Sequence, residues 1–501
     1  MQKKQTILVV ASLLVVVLSV TLAYFTAQII GKGKDVSVSS ADLKIIFTDT
    51  DGNIEGSNIT PGWSNSKTFT VKNESNETYK YNIVIKDLIN TFVTEGYLQY
   101  KITSTNDGYN MTEFKDVPKS ETATDTILAY SVSIPVGETQ SYTIEFKYAN
   151  DESVDQSEDM GKTLSGTLYI EKGTLPTLAE KLLADNPTIQ TRTDFDTTFT
   201  ETNIGTLYKA TESIAGNTPK DVYYFAGNAK NNWVKFANFY WRIIRTNHDG
   251  SIRLLYSGKS HNTTEGYIGK SAFNTTDNDP MYVGYMYGTT GSLENNRLNT
   301  NNSTIKTYVD NWYKNNLTAY TKYLSNDAVY CNDRELAPGQ TYSTSSSFDY
   351  APNGRLNTNK TPTYNCTNNK DAFSGSNTEA KLTYPIGLMT ADEIAYAGGK
   401  VSTDLPSPYA WYYLNSVGGR ITGSITGSTY WWLMSPMAKS VVGFSVWYVD
   451  GSSTMGNLKA SILSNASFGA RPAISLKTCT LWTSGNGAPE TPYEISTTSG
   501  C

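Results

Sequence analysis

Few side chains in this 501-residue chain are able to do covalent, metal or acid–base chemistry. There are two histidines, His248 and His261, too few and too far apart for a zinc site built on paired imidazoles. His248 falls within Asn247-His248-Asp249-Gly250, a turn signature, so it reads as a turn residue rather than a general base. His261 sits in a polar stretch with no acidic or nucleophilic neighbour at a telling spacing. The four cysteines, Cys331, Cys366, Cys479 and Cys501, contain no C-x-x-C, which sets aside the common zinc and redox motifs. Cys331 with Cys366 would instead close a loop of about 36 residues and stabilise it by a few kcal/mol. Cys479 and Cys501 either pair in the same way or leave Cys501 frayed and free. Among the acids, Asp333, Glu335, Asp392 and Glu393 are candidates by charge alone for a hydrolase of glycans or peptides. Thr390-Ala391-Asp392-Glu393 is also a capping box, and helix capping accounts for the last two without chemistry. No nucleophile, base and orienting group can be assembled from these residues. The expectation is a protein that is not an enzyme and needs no metal or cofactor.

Composition narrows the partners. Charged residues make up 18% of the chain, below the roughly 25% usual for soluble domains, and Asn, Thr, Ser, Gly and 35 tyrosines fill the gap. The net charge is −6 and no basic run follows the first few residues, which excludes nucleic acid as a partner.

The first 30 residues carry an export signal. Lys3 and Lys4 precede an apolar run, Ile7–Ala23, and Thr21-Leu22-Ala23 puts small residues where signal peptidase cuts, between Ala23 and Tyr24. If the run is not cleaved, it is long enough to serve as a membrane anchor. Leu175-Pro176-Thr177 is not followed by the rest of an L-P-x-T-G sorting motif, so covalent wall attachment is not expected.

The remaining elements divide in two. Between residues 36 and 172, short β-branched and aromatic runs alternate with turn signals. They are Leu43–Phe47, Lys67–Lys72, Lys80–Ile85, Leu98–Ser104, Thr126–Ile134, Ser141–Tyr148 and Leu164–Ile170. Such spacing predicts an antiparallel sandwich or jelly roll. Residues 173–203 read as a linker with a short helical patch. From 204 to 501 the pattern mixes strands, such as Trp233–Arg245 and Ile252–Tyr256, with a helix from Thr304 to about Leu324 and a second one opening at Thr390. Ile305, Tyr308, Val309 and Trp312 give the first helix its apolar face. The fold class expected is mainly β: a jelly-roll-like antiparallel β-sandwich followed by an α+β domain.

Two resemblances add to this reading. Thr21-Leu22-Ala23-Tyr24-Phe25-Thr26, Ile59-Thr60-Pro61-Gly62 with Lys67–Asn73, and Tyr142-Thr143-Ile144 resemble the TasA/camelysin family of secreted Gram-positive matrix-fibre proteins, exported through a SipW-type signal peptidase. The resemblance covers about residues 1–172. It implies that an N-terminal arm, residues 24–35, can act as a donor strand to the next subunit and so build fibres; Tyr24, Phe25, Ile29 and Ile30 are the matching residues. The alternative is that these residues end a membrane helix or cover their own sheet. The metal-dependent proteolysis associated with camelysins does not carry over, because the chain has no H-E-x-x-H.

Residues 205–495 are similar to a domain of unknown function from secreted Firmicute-type proteins. The similarity rests on Asn232–Phe236, Trp241–Arg245, Gly284–Gly288, Cys331–Arg334, Ile386–Glu393, Trp432–Pro436 and Gly469–Leu476. Leu388–Gly399 and the late Trp432-Leu433-Met434-Ser435 and Gly469-Ala470-Arg471-Pro472 strands look like the C-type-lectin-like fold. The paired cysteines of its formylglycine-generating enzymes are missing. So are the Glu-Pro-Asn and Trp-Asn-Asp motifs that hold calcium, which leaves calcium without support.

Trp411, Tyr412, Tyr430, Trp431 and Trp432, with Asp450 and Asn457, suit a surface glycan or protein ligand. The competing reading is that most of these tryptophans pack the core, with one of the adjacent pair Trp431–Trp432 more exposed than the other. Taken together, the sequence predicts a protein secreted from, or held on the surface of, a Gram-positive-type bacterium, a cell-surface or matrix protein that partners itself and a glycan or protein ligand. A tethered sensor ectodomain and an extracellular hydrolase are the alternatives.

Overall fold

In residues 36–172, alternation is what makes the sheets. Along Thr139–Tyr148, the side chains of Tyr142, Ile144, Phe146 and Tyr148 are buried while their neighbours face outward, as the two-residue period of a half-wet strand requires. The computed structural model describes residues 36–40, 43–49, 53–55, 59–202, 205–401, 409–418, 423–440, 443–451, 456–462, 466–497 and 500–501. The export segment, the cleavage position Ala23–Tyr24 and the arm residues Tyr24, Phe25, Ile29 and Ile30 lie outside them.

The chain is mainly β and divides into two units, Met1–Leu175 and Pro176–Cys501. Among the described residues, the first unit has ten strands: β1 (Val36–Ser40), β2 (Leu43–Asp49), β3 (Asn53–Glu55), β4 (Ser64–Asn73), β5 (Tyr79–Asn90), β6 (Leu98–Ser104), β7 (Lys115–Asp116), β8 (Ser120–Ile134), β9 (Thr139–Tyr148) and β10 (Leu164–Lys172). They form two antiparallel sheets, ordered β1-β2-β4-β9-β6-β7 and β3-β10-β5-β8. Both inner faces share one core, including Phe69, Ile83, Ile85, Ile102, Ile144, Phe146 and Leu168. A polar bridge crosses it: Tyr81 of β5 donates to Gln140 of β9 at 2.6 Å, and its hydroxyl lies 2.6 Å from that of Tyr142. All seven expected strands are present. The sequence pattern missed β1, β3 and β7, of which the last two are three residues or fewer.

In the second unit, the stretch expected to link the domains is partly built into the fold. Helix α1 (Leu178–Asp185) carries a full Thr177/Glu180 capping box, and Leu178 and Leu182 are buried in the core. Farther along, Arg192 donates to the carbonyls of Ala395 and Tyr396. The larger sheet runs in the order Ile189–Thr191, Thr206–Glu212, Lys220–Ala226, Phe239–Thr246, Trp233–Phe236, Tyr493–Ile495, Trp482–Ser484. Ile252–Tyr256 pairs with Phe239–Thr246 and with Pro472–Leu476, which pairs in turn with Ile386–Leu388. Ile252–Tyr256 is thus central and buried along its whole length. A smaller sheet is built on Trp431–Ser440 and Gly443–Val449.

The helix expected from Thr304 is capped by Ser303, whose hydroxyl accepts from the Lys306 amide. It is α-helical to Asn316 and continues as a tighter 3-10 turn over Thr318–Tyr323. Its face toward the core is Ile305, Val309 and Tyr313, with Tyr308 and Trp312 packed at the margin.

Both cysteine pairs are disulfides, Cys331–Cys366 and Cys479–Cys501. Disulfides belong to oxidising compartments, which fits an extracellular setting. Replacing Cys331 and Cys366 together by serine should cost about 3–4 kcal/mol, the entropy of the loop they close. Guanidinium unfolding of the non-reduced double variant beside the parent measures it.

Candidate functional site

The second unit contains long irregular stretches between its strands, and their buried backbone carbonyls need donors. Arginine supplies them. Arg334, the last residue of Cys331-Asn332-Asp333-Arg334, is buried and binds Asp371 at 2.6 Å. It also donates to the carbonyls of Met286, Asn296 and Lys370 and to the Asn299 side chain. Arg297 binds Asp371 from the other side at 2.8 Å. Burial alone would raise Asp371; Arg334 and Arg297 outweigh it and hold the carboxyl below its ordinary value. Asn332, in the same segment, accepts from the Tyr285 amide and donates to the Met434 carbonyl.

Among the described residues, two further arginines have no carboxylate partner. Arg242 donates to Asn232 and to the carbonyls of Ala229 and Leu414, its guanidinium 4.1 Å from the Trp233 ring centre. Arg471 donates to the carbonyls of Tyr256 and Tyr412 and lies 4.6 Å from the Trp431 ring centre; burial pushes its pKa down to about 9. Carbonyl dipoles and aromatic faces take the place of counter-ions.

The aromatic residues expected to meet a ligand are the walls of this interior. Trp411, Tyr412, Trp431 and Trp432 are buried, with Asp450 and Asn457. Trp411 donates to the Phe225 carbonyl at 2.8 Å, Tyr412 to that of Gly456 at 2.5 Å, and Trp432 to that of Ser271 at 2.9 Å. Asp450 pairs with Lys459 at 3.1 Å, and its amide donates to the Asn457 carbonyl. Tyr430 is half-buried against Tyr448 and Phe468. Neither Trp431 nor Trp432 is the exposed member of the pair, because their strand is covered on both faces. These side chains are core, as residues with large apolar bodies become where other apolar mass is scarce.

The acids considered for hydrolysis separate. Glu335 goes to Arg297, at 3.0 Å, and to Asn368. Asp333, Asp392 and Glu393 come together around a small cleft of about 20 Å³, lined also by Glu212, Arg245, Arg253, Arg355 and Tyr364. In its interior, Arg245 joins Glu212 (2.8 Å) to Glu393 (3.0 Å), and Arg253 reaches Glu393 at 2.7 Å. Glu212 also accepts from the His248 amide, which makes His248 the turn residue its motif indicated.

At the mouth, one nitrogen of Arg355 bridges Asp333 (2.6 Å) and Asp392 (2.9 Å), and Thr363 donates its amide to Asp392. Asp333 has a left-handed backbone, φ 25°, a costly conformation for a residue with a Cβ. Burial pushes its carboxyl up to about 6, and Arg355 counters that only in part. Among the described residues, no group of three or more His, Cys, Asp or Glu is placed to hold a metal ion.

Neither models of known protein families nor curated proteins give a match to this chain.

Removing one partner of a buried charge network strands the other. Arg334→Met should therefore lower stability by about 3–5 kcal/mol, read by denaturant unfolding. Glu212 yields a pH prediction. Burial would raise its pKa, but Arg245 and the bond from His248 outweigh burial and depress it from 4.5 to about 2. A depressed acid contributes stability that is complete above its unfolded pKa and lost as pH falls through the folded one. Melting temperature should fall between pH 4.5 and about 2. Glu212→Gln should melt lower at neutral pH and lose less on acidification; equal acid slopes would refute the assignment.

Proposed function

We propose that this is an exported cell-surface or extracellular-matrix protein, in which a TasA-like sandwich drives assembly and a C-type-lectin-like unit binds a ligand. The observation that carries the reading is the first unit's two-sheet antiparallel sandwich, with the 15-residue strand β8 at the edge of one sheet. An edge strand presents unpaired backbone groups, which an extended arm from another copy can complete. Both disulfides support life outside the reducing cytosol.

For the second unit, the support is its organisation. Trp233–Phe236, near the start, pairs in parallel with Tyr493–Ile495, near the end, and long loops run between the strands. Binding ranks above catalysis because the acids gathered in the cleft are held in ion pairs with arginine.

Mass spectrometry of the native N-terminus should find Tyr24 as the first residue. Sedimentation of that form should show multimers that grow with concentration, and deletion of Tyr24–Ile30 should leave monomers. A chain that keeps Met1–Ala23 would instead be an anchored ectodomain, and one that is monomeric with or without the arm would not be a fibre protein.

A further inference from the structure

His261, which has no telling neighbour in sequence, acquires one in the fold. Its Nδ1 lies 2.6 Å from the hydroxyl oxygen of Ser416, 155 residues away. With the ring proton on Nε2, Nδ1 accepts from that hydroxyl, which is the relation of a base to a nucleophile. Both residues are half-buried, so the pair meets solvent, unlike the ion-paired acids of the cleft.

Three bonds hold the two segments in register. The Ser416 amide donates to the His261 carbonyl at 3.0 Å, and the Asn415 side chain donates to the carbonyls of Thr263 (3.0 Å) and Asn262 (3.4 Å). Behind them, Arg242 and Arg471 clamp the carbonyls of Leu414 and Tyr412, which fixes the segment that carries Ser416. The imidazole packs against Trp233 and Tyr240, with ring centres 6.5 and 5.6 Å away. A nucleophile and base held in contact need no rearrangement before they act.

A cation completes the group. Nζ of Lys230 lies 3.6 Å from where a Cβ on Gly418 would stand, in the turn that follows Ser416. Among the described residues it has no hydrogen-bond or ion-pair partner. Burial and the charge of Arg242 hold its ammonium below the ordinary lysine value, and Glu201 opposes them. A positive charge so placed meets the oxyanion that forms when a hydroxyl attacks a carbonyl.

The third member of a triad is missing, and its absence selects the substrate. Among the described residues no carboxylate is bonded to Nε2 of His261, so the imidazolium formed during attack is not stabilised from behind. An ester tolerates that loss better than an amide, because an alcohol is the better leaving group.

We propose that Ser416 and His261 form a nucleophile–base pair that hydrolyses carboxylic esters, with Lys230 facing the developing oxyanion. Ser416 Oγ bonds to the acyl carbon while its proton passes to His261 Nδ1. The bond from that carbon to the alcohol oxygen then breaks, and the alcohol leaves with the proton. Water adds to the acyl carbon and gives a proton to His261. The bond to Oγ breaks, Ser416 recovers that proton, and the carboxylic acid departs. The ion-paired acids take no part, and the activity stands whether or not the unit also holds a surface ligand.

The full chain should hydrolyse p-nitrophenyl acetate and take up a fluorophosphonate on Ser416, located by peptide mass spectrometry. Ser416→Ala and His261→Gln should each lower turnover by roughly 100-fold, the low end of what general-base catalysis supplies, while melting within a few degrees of the parent. Lys230→Met should lower kcat and leave KM nearly unchanged, as loss of an interaction made only in the transition state does. Turnover that survives Ser416→Ala would reduce the site to a bare imidazole meeting an activated ester, and would overturn the pair. Labelling of a different residue, or a chain inert to both reagents, would overturn it too. The label is read on the parent protein, so a variant that fails to fold does not decide the outcome.

Discussion

The second unit depends on buried guanidinium groups. Its strands are joined by long segments without regular ladders, and every buried carbonyl there must find a donor or lose about 1–3 kcal/mol. A single arginine offers five N–H donors in a rigid fork and can hold several loops at once. Arg334 gathers the carbonyls of Met286, Asn296 and Lys370 in this way, and Arg297 shares its counter-ion Asp371. Arg242 and Arg471 do the same between tryptophan faces, tying the Ala410–Leu414 segment to the strands beside it. Without these clamps the loops would have no fixed path.

The first unit solves the same problem by repetition. Each of its main strands satisfies its backbone in a ladder and needs side-chain bonds at only a few places, such as the Tyr81–Gln140–Tyr142 bridge between the sheets. The ladder on β8 is the more irregular of the two on β5. Its pairing with β5 slips in register at several points, and Ser131 adopts φ 51°. Bulges of this kind bend an edge and restrict which strands can add to it. An edge of that shape discourages indiscriminate pairing.

This difference explains what could be read in the sequence. A two-residue period is local, so Leu98–Ser104 could be read with its true limits, and β4, β5, β8 and β9 only two to six residues short at their ends. Capping is local too, and the Thr390/Glu393 box stands as the motif indicates. Burial on both faces of a strand is not local. Ile252–Tyr256 and Trp431–Trp432 became central because segments more than 100 residues away in sequence pack on them, and nothing within either stretch announces that. The adjacent tryptophans suit a ligand surface or a core by sequence alone, and it is the distant segments that make them walls. The cleft was partly visible: Asp333, Asp392 and Glu393 stood out by charge, but Glu212, Arg245, Arg253 and Arg355, which decide what those acids can do, lie on other elements.

The arginines also limit how the cleft acts. A general acid and a nucleophile or base need carboxylates whose protonation states differ and whose oxygens are free to react. Glu393 receives two guanidinium groups on one oxygen and the Thr390 amide on the other. Asp392 is held by Arg355 and by the Thr363 amide. Glu393 is thereby held as an anion, and the oxygens of both are engaged. Asp333 has a carboxyl pushed up by burial and one oxygen that accepts only a long bond from the Glu335 amide, and one carboxyl group without a free partner does not make an acid–base pair. What the geometry leaves is an array of oriented donors and acceptors at the rim of a rigid, ion-paired floor.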